Sequence, residues 1–158
     1  MDYDEDYIKS LLKIYRNHIP KINLYNDAKD IIDTLYNRNL KLGIITDGYV
    51  ETQKNKLKVL NINNYFDYIL ITDELGKEYW KPHRKPYDIM KEQLNVCYEE
   101  MVYIGDNVSK DFVTPNKLGM KSIMINRMDR VYKNNINIDK IYMPQLIVNN
   151  LNEIGGIV

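Results

Sequence analysis

Short apolar runs of β-prone residues alternate with segments of helical periodicity between residues 41 and 125, and this alternation most limits the possible fold. Apolar residues recur at helical spacing in the segments between the runs. The predicted strands are residues 41–46, 68–72, 101–105 and 121–125. Such an order is typical of a parallel sheet with helices on both faces. We therefore predict an α/β fold with three layers.

The segments outside residues 41–125 constrain the fold less. Residues 5–17 and 26–38 have the periodicity of amphipathic helices, and 145–148 is a candidate final strand. The chain of 158 residues is of a length typical of one domain. We predict a single core domain over residues 1–158, in which residues 1–22 form an accessory helix or the remnant of a helical cap.

Composition excludes several classes of partner. Lys plus Arg and Asp plus Glu both number 22, so charge gives no reason to expect nucleic acid or a membrane surface as a partner. No apolar run approaches the roughly 20 residues that span a bilayer. The single cysteine, Cys97, excludes an internal disulfide and favours a reducing compartment, so we expect a cytoplasmic protein.

Two carboxylates follow the predicted strand at 101–105. Gly105 ends the strand, Asp106 comes next, and Asp111 follows five residues later, where a helix should begin. In parallel sheets the ligand crevice lies at the carboxyl ends of the strands. Because unpaired buried charge is costly, two acids there favour a hard cation such as Mg2+, which prefers oxygen ligands. The alternative is that Asp111 is a helix N-cap and Asp106 a loop acid.

Two other segments place polar groups near the carboxyl ends of strands. Thr46-Asp47-Gly48 offers a hydroxyl and backbone N–H groups that can hold a phosphate. Lys81, which precedes a proline and a predicted helix, can offset charge on a phosphoryl group. Each segment alone is better explained as an ordinary turn or a solvated basic loop. Their order along the chain is the more specific signal.

Together the three segments resemble the motifs of the haloacid dehalogenase-like (HAD) hydrolase superfamily, most of whose members are Mg2+-dependent phosphatases. Residues 44–48 resemble its second motif, residues 81–87 its third and residues 102–111 its fourth. The resemblance extends from about residue 23 to residue 126 and implies a Rossmann-like core. It also implies a small phosphorylated molecule as the substrate.

The resemblance implies a role for each matching residue. Thr46 would bind phosphoryl oxygens, and Lys81, with Lys85 as the alternative, would offset charge on the nucleophile and phosphate. Asp106 would ligate Mg2+, and Asp111 would ligate it or orient other groups. The implied phosphate-binding set is Thr46, Asp47, Gly48 and Lys81.

The chain departs from the family at the first motif, a strand ending in Asp-x-Asp whose first Asp is the nucleophile and whose second is the general acid/base. The only candidate is Asp2-Tyr3-Asp4, which no apolar strand precedes and which leads into a polar helix. We do not assign it. We expect a hydrolase portion that begins after its nucleophile and is inactive alone. In the family, that strand lies between those ending here at Thr46 and Gly105.

Losing a central strand leaves two rows of unpaired backbone groups. Either the neighbouring strands pair with each other, or a second chain or copy completes the sheet, or the segment exists as a separate polypeptide. An alternative function is a non-catalytic domain that binds anions or partners and has kept the scaffold but lost the reaction. A receiver domain also places Asp, Thr and Lys at strand ends, but its acids come first in the chain, so we rank it low.

Overall fold

The computed structural model describes residues 4–128 and 139–157. Asp2 and Tyr3 of the rejected Asp-x-Asp candidate lie outside these ranges. The α-helices are α1 (Glu5–Asn17), α2 (Asn26–Asn37), α3 (Val50–Leu60), α4 (Lys85–Leu94) and α5 (Val113–Leu118). The strands are β1 (Gly43–Thr46), β2 (Tyr68–Ile71), β3 (Val102–Gly105), β4 (Lys121–Ile125) and β5 (Leu146–Val148). Each strand falls on a predicted run, shortened by one or two residues in four of the five.

The strands form two parallel sheets. β1 pairs with β2, and Gly43 lies opposite Tyr68. The second sheet has the order β3-β4-β5, with Val102 opposite Lys121 and Ile123 opposite Leu146. The predicted α/β class with parallel strands is therefore confirmed.

No ladder joins β1 to β3 within the described residues. Contacts nevertheless link the start of each strand to one core cluster, and a further contact links the segments that follow their carboxyl ends. Leu42, just before β1, and Val102, at the start of β3, pack against the same core cluster. At the opposite ends, Lys110 Nζ lies 2.6 Å from Asp47 Oδ2. Direct pairing of the two strands, one of the three predicted outcomes, is thus absent from the part of the chain that the structure describes.

Helices cover both faces of the sheets. Ile31 and Leu35 of α2 pack with Ile123 of β4, whose neighbour Met124 packs with Phe112 before α5. Because successive residues of a strand point to opposite faces, α2 and the segment leading into α5 lie on different sides of β4. α4 packs against β1 and β2 through an apolar cluster that includes Leu70, Met90, Leu94 and Ile45. This arrangement confirms the three predicted layers.

Local sequence explains where the helices end. Asn61 and Asn95 cap α3 and α4 in the left-handed conformation, at φ of 51° in both. Gly119 ends α5 in the same conformation, at φ of 81°. Pro115 lies in the first turn of α5, where its missing N–H is not needed. α5 is therefore short and begins at Val113.

α1 is attached to α3 and has no buried residue. The Thr52 hydroxyl donates to the Arg16 carbonyl oxygen (3.1 Å), and the Arg16 guanidinium lies 3.7 Å from the centroid of the Tyr49 ring. Assignment of residues 1–22 to a cap remnant stays a prediction. No helix among residues 4–128 and 139–157 is both long enough and apolar enough to cross a membrane.

Candidate active site

Lys81 connects the ends of the two sheets. Its backbone N–H donates to Asp47 Oδ1 (3.1 Å), just beyond β1. Its Nζ lies 2.9 Å from Asp111 Oδ1 and donates to the Tyr103 hydroxyl (3.1 Å) on β3. The side chain is 11% exposed, so the lysine is held inside the structure. The three segments singled out in the sequence therefore meet at one place.

Asp111 holds the turn that carries Asp106. Its Oδ2 accepts from the backbone N–H groups of Asp106 (3.2 Å) and Asn107 (3.0 Å). A Cβ on Gly105 would come within 2.7 Å of the same oxygen, so glycine permits this close approach. α5 begins at Val113 and Phe112 is its N-cap, so the alternative that Asp111 caps the helix is wrong.

The second oxygen of Asp111 is an incompletely satisfied acceptor. Asp111 Oδ1 is buried and pairs with Lys81 Nζ at 2.9 Å, but no described residue donates it a hydrogen bond of suitable geometry. Such atoms are rare in folded proteins because each loses hydration without replacement. The oxygen can therefore accept a further ligand in addition to its ion pair with Lys81.

Both carboxylate oxygens of Asp47 already have partners. Its Oδ1 accepts from the Thr72 hydroxyl (2.8 Å) and the Lys81 N–H, and its Oδ2 pairs with Lys110 Nζ at 2.6 Å. Burial opposes the charge, but Lys110, Lys81 and Thr72 outweigh it and lower the pKa of Asp47. Its carboxylate is thus charged and saturated, so any contact between Asp47 and a phosphate would involve its backbone.

The pKa values of two other ionisable groups are raised. Burial and the nearby Asp111 carboxylate raise the pKa of Asp106. Burial disfavours the charged form of Lys81, but Asp111 and Asp47 attract it more strongly and raise the pKa of Lys81. The site therefore holds a permanent cation beside a pair of carboxylates that repel each other.

Thr46 and Gly48 belong to the turn between β1 and α3. The Thr46 hydroxyl donates to Gln53 Oε1 (3.2 Å), and Gln53 Nε2 donates to the Asp47 carbonyl oxygen (3.1 Å). Gly48 has φ of 130°, and a Cβ there would lie 2.4 Å from Gln53 Nε2. The turn thus requires glycine at this position and is fastened to the first turn of α3.

The choice between the two candidate lysines is visible in the geometry. Lys85 is exposed and its Nζ lies 4.1 Å from the centroid of the Tyr79 ring, so only Lys81 enters the cluster. Tyr87 is completely buried and packs against Tyr103 with ring centroids 5.3 Å apart.

Sequence reasoning missed Lys110, the partner of Asp47. Lys110 lies within the fourth motif, immediately before Asp111, and that position was the only local signal of its role. Its partner is 63 residues away in the chain.

The family is decided by a match over residues 1–125 to the model described as haloacid dehalogenase-like hydrolase. The chain belongs to that family. The resemblance based on the three motifs is therefore confirmed. The roles of individual site residues stay predictions.

Several HAD relatives carry phosphatase names. A protein named glyceraldehyde 3-phosphate phosphatase from Methanocaldococcus jannaschii is 34% identical over 126 residues, covering 78% of this chain and 54% of the relative. A protein named pyrophosphatase PpaX from Bacillus anthracis is 25% identical over 160 residues, covering 94% and 73%. The chain spans about half the length of the glyceraldehyde 3-phosphate phosphatases it matches.

The fold is also found in solved structures. The crystal structure of a HAD phosphatase from Thermococcus onnurineus superimposes with a TM-score of 0.73 at 28% identity, covering 99% of this chain and 65% of that one. This similarity agrees with the three layers described above.

The HAD site has few potential metal ligands. No three His, Cys, Asp or Glu side chains come together as a metal site within residues 4–128 and 139–157. The available donors are the carboxylate of Asp106 and the unsatisfied Oδ1 of Asp111. This set suits Mg2+, which commonly binds through one or two carboxylates, substrate phosphate and water.

Proposed function

We propose that this chain provides the phosphate- and Mg2+-binding part of a HAD-type phosphohydrolase that acts on a small phosphorylated metabolite. The observation that carries the proposal is Lys81, whose N–H binds Asp47 and whose Nζ lies 2.9 Å from Asp111. The phosphatase names of HAD relatives support the same reaction class. We also propose a cytoplasmic location.

The phosphoryl group would lie between the ends of β1 and β3. The Thr46 hydroxyl and the backbone of Asp47 and Gly48 would contact its oxygens, at the turn that leads into α3. The Lys81 ammonium would offset the negative charge that the phosphoryl oxygens bring to a poorly hydrated site. Its raised pKa keeps Lys81 charged throughout the neutral range.

Mg2+ would be held by Asp106 and by the unsatisfied oxygen of Asp111. Bound there, the ion would neutralise charge on phosphoryl oxygens. It would also offset the repulsion that raises the pKa of Asp106. Asp111 has a second task, because its Oδ2 fixes the backbone of Asp106 and Asn107. Its side chain therefore positions Asp106 with or without metal.

The attacking carboxylate would come from another segment, and the chain alone would be inactive. Phosphoryl transfer through an aspartyl-phosphate requires a carboxylate in line with the phosphorus. Asp47 has its oxygens taken by three donors, and Asp111 is tied to a backbone turn and to Lys81. Asp106 is assigned to the metal. No carboxylate of this described site remains for the attack.

The second candidate is a non-catalytic domain that binds anions or partners on the same scaffold. The saturation of Asp47 by Lys110, Thr72 and Lys81 favours it, because these contacts make a stable structure without any reaction. The two candidates differ in whether Mg2+ and phosphate bind together.

Thermal unfolding with and without inorganic phosphate and Mg2+, together with hydrolysis of p-nitrophenyl phosphate, tests the proposal. We expect phosphate and Mg2+ to raise the melting temperature jointly, with no hydrolysis by the chain alone. Asp106→Asn should abolish the response to Mg2+, and Lys81→Met the response to phosphate. Lys85→Met is the matched control and should retain both, because Lys85 is exposed.

Other outcomes would reject parts of the proposal. Hydrolysis by the chain alone would overturn its inactivity, and hydrolysis that survives Asp106→Asn would contradict the metal role. A response to phosphate without any response to Mg2+ would favour the non-catalytic alternative.

A further inference from the structure

We infer that Tyr103 is a positioning residue, whose neutral hydroxyl holds the Lys81 ammonium in place at the phosphate site. Lys81 Nζ donates to the Tyr103 hydroxyl (3.1 Å) and lies 2.9 Å from Asp111 Oδ1. The role rests on the proposed function, in which Lys81 offsets phosphoryl charge. Tyr103 itself would touch Lys81 and not the phosphate.

The alternation of side chains along β3 directs Tyr103 toward the site. Successive residues of a strand point to opposite faces, so Tyr103 shares a face with Gly105 two residues later. Asp111 Oδ2 lies 2.7 Å from the position that a Cβ of Gly105 would take, so the Asp111 carboxylate lies over this same face. Lys81 therefore meets one partner from the strand itself and one from the segment that follows it.

Packing fixes the ring of Tyr103. The ring of Tyr87, in the first turn of α4, packs against it with centroids 5.3 Å apart and planes inclined by 59°. Tyr87 is 0% exposed, and close-packed interiors leave such a ring little room to move aside. The Tyr103 hydroxyl is thus presented to Lys81 from a rigid support, which is what a precisely placed functional side chain needs.

A tyrosine holds a lysine without changing the charge of the site. Burial and the nearby Asp111 carboxylate raise the pKa of Tyr103 well above its ordinary value, so its hydroxyl stays neutral in the neutral range. A carboxylate in its place would also hold Lys81, but it would offset the positive charge that attracts a phosphoryl group. The neutral acceptor therefore suits a lysine that must bind an anion.

Two anchors set the direction of the ammonium group. An ammonium has three N–H donors, and the Tyr103 hydroxyl and Asp111 Oδ1 lie beside two of them. The direction of the third donor is then set, whereas with one anchor the group could turn about a single contact. Asp111 Oδ1 is also the oxygen proposed for Mg2+, so Lys81 shares that anchor. The Tyr103 hydroxyl is the anchor that Lys81 does not share with the metal.

Acetylation of the folded full chain by acetic anhydride, followed by peptide mass spectrometry, measures how firmly each lysine is held. Tyr103→Phe removes only the hydroxyl, and we expect the Lys81 rate to rise about threefold or more. Lys41 is the control for general loosening because its Nζ donates to the Leu94 carbonyl oxygen (2.6 Å) outside the site, and its rate should not change. Tyr68→Phe is the matched variant and should change neither rate, because Tyr68 is a half-buried tyrosine at the amino end of β2.

Binding of inorganic phosphate in the presence of Mg2+ tests the functional consequence. The single tryptophan, Trp80, precedes Lys81 and supplies a fluorescence signal for the titration. Tyr103→Phe should weaken phosphate binding about three- to tenfold, as expected for the loss of one hydrogen bond. Tyr68→Phe should leave the affinity unchanged.

Two results of the acetylation experiment would overturn the inference. One is an unchanged Lys81 rate in Tyr103→Phe. The other is an equal rise at Lys41, which would show that the hydroxyl supports the whole fold. A faster Lys81 rate with unchanged phosphate affinity would also overturn it, because Lys81 would then bind phosphate without being held. A wild type that binds no phosphate, combined with a faster Lys81 rate in the variant, would reject the proposed function and support the holding of Lys81 by Tyr103.

Discussion

Replacing Lys110 by methionine tests whether its contact with Asp47 holds the two sheets together. Lys110 Nζ lies 2.6 Å from Asp47 Oδ2, and the side chains are 28% and 4% exposed. Methionine keeps much of the aliphatic length of lysine and removes the charge. Among the described residues, Asp47 then retains the Thr72 hydroxyl, the Lys81 N–H and the more distant charge of Lys81.

The expected loss of stability follows from the burial of Asp47, since Lys110 is partly exposed. At this distance the attraction is about 6 kcal/mol with an effective dielectric constant of about 20, before the loss of hydration is subtracted. Breaking a fully buried pair costs about 3–5 kcal/mol, whereas an exposed pair contributes about 0–1 kcal/mol. Because Lys110 is partly solvated and Asp47 keeps two donors, we expect Lys110→Met to lower the free energy of unfolding by about 1–2 kcal/mol.

Urea unfolding near pH 7 of the wild type, Lys110→Met, Asp47→Asn and the double variant gives the interaction energy directly. Asparagine keeps an acceptor for Thr72 and Lys81 but has no charge. We expect a coupling of about 1–2 kcal/mol. A coupling below about 0.3 kcal/mol would refute the reasoning, because it would mean that solvent screens the pair completely.

The ion pair between Lys110 and Asp47 also predicts that the stability of the fold depends on pH. Because the pKa of Asp47 is lowered in the folded chain, its charged form adds stability above the ordinary carboxyl pKa. That stability is lost as the pH falls through the lowered folded value. The difference between wild type and Asp47→Asn should therefore shrink in acid.

Three further predictions concern stability, each measured by urea unfolding. Asp27→Asn should lower the free energy of unfolding by about 1–3 kcal/mol near pH 7, because Asp27 accepts a hydrogen bond from Arg127 Nη2 at 2.8 Å. Burial opposes the charge of Asp27, but Arg127 outweighs this effect and lowers the pKa of Asp27. The loss of stability should therefore disappear as the pH falls through that lowered pKa. Ile123→Ala should lower the free energy of unfolding by about 2–5 kcal/mol, because Ile123 is 0% exposed. The control Ile14→Ala, at 68% exposure, should lower it by less than about 0.5 kcal/mol. Similar losses for the two variants would contradict the assigned core. Asn61→Gly should stabilise by up to about 1 kcal/mol, since Asn61 has φ of 51°; a loss of stability would show that its side chain matters more than its backbone.

Sequence periodicity predicted the elements because each depends on residues close together in the chain. β1 and β3 fall within the predicted runs at 41–46 and 101–105, and α1 matches the predicted helix at 5–17. The sequence predicts a helix beginning near Asp111, whereas α5 begins two residues later at Val113. Such offsets arise because helix ends depend on capping geometry as well as on periodicity.

Partners distant in sequence were not predictable in the same way. Asp47 was singled out, but its ion pair with Lys110 and its hydrogen bond from Thr72 were not. Pairing depends on distance in space, and the fold alone brings these groups together. For the same reason the sequence left Lys81 and Lys85 as alternatives, although they lie on either side of the turn before α4.

The order of apolar runs and helices, together with polar residues at the ends of β1 and β3, already determined an α/β domain with its candidate site at one edge of the strands. Tertiary structure decided that β1 and β3 do not pair with each other within the described residues and that Lys81 bridges the two sheets. Strand pairing and ion pairing are interactions between distant parts of the chain, so their geometry exists only after the layers have packed.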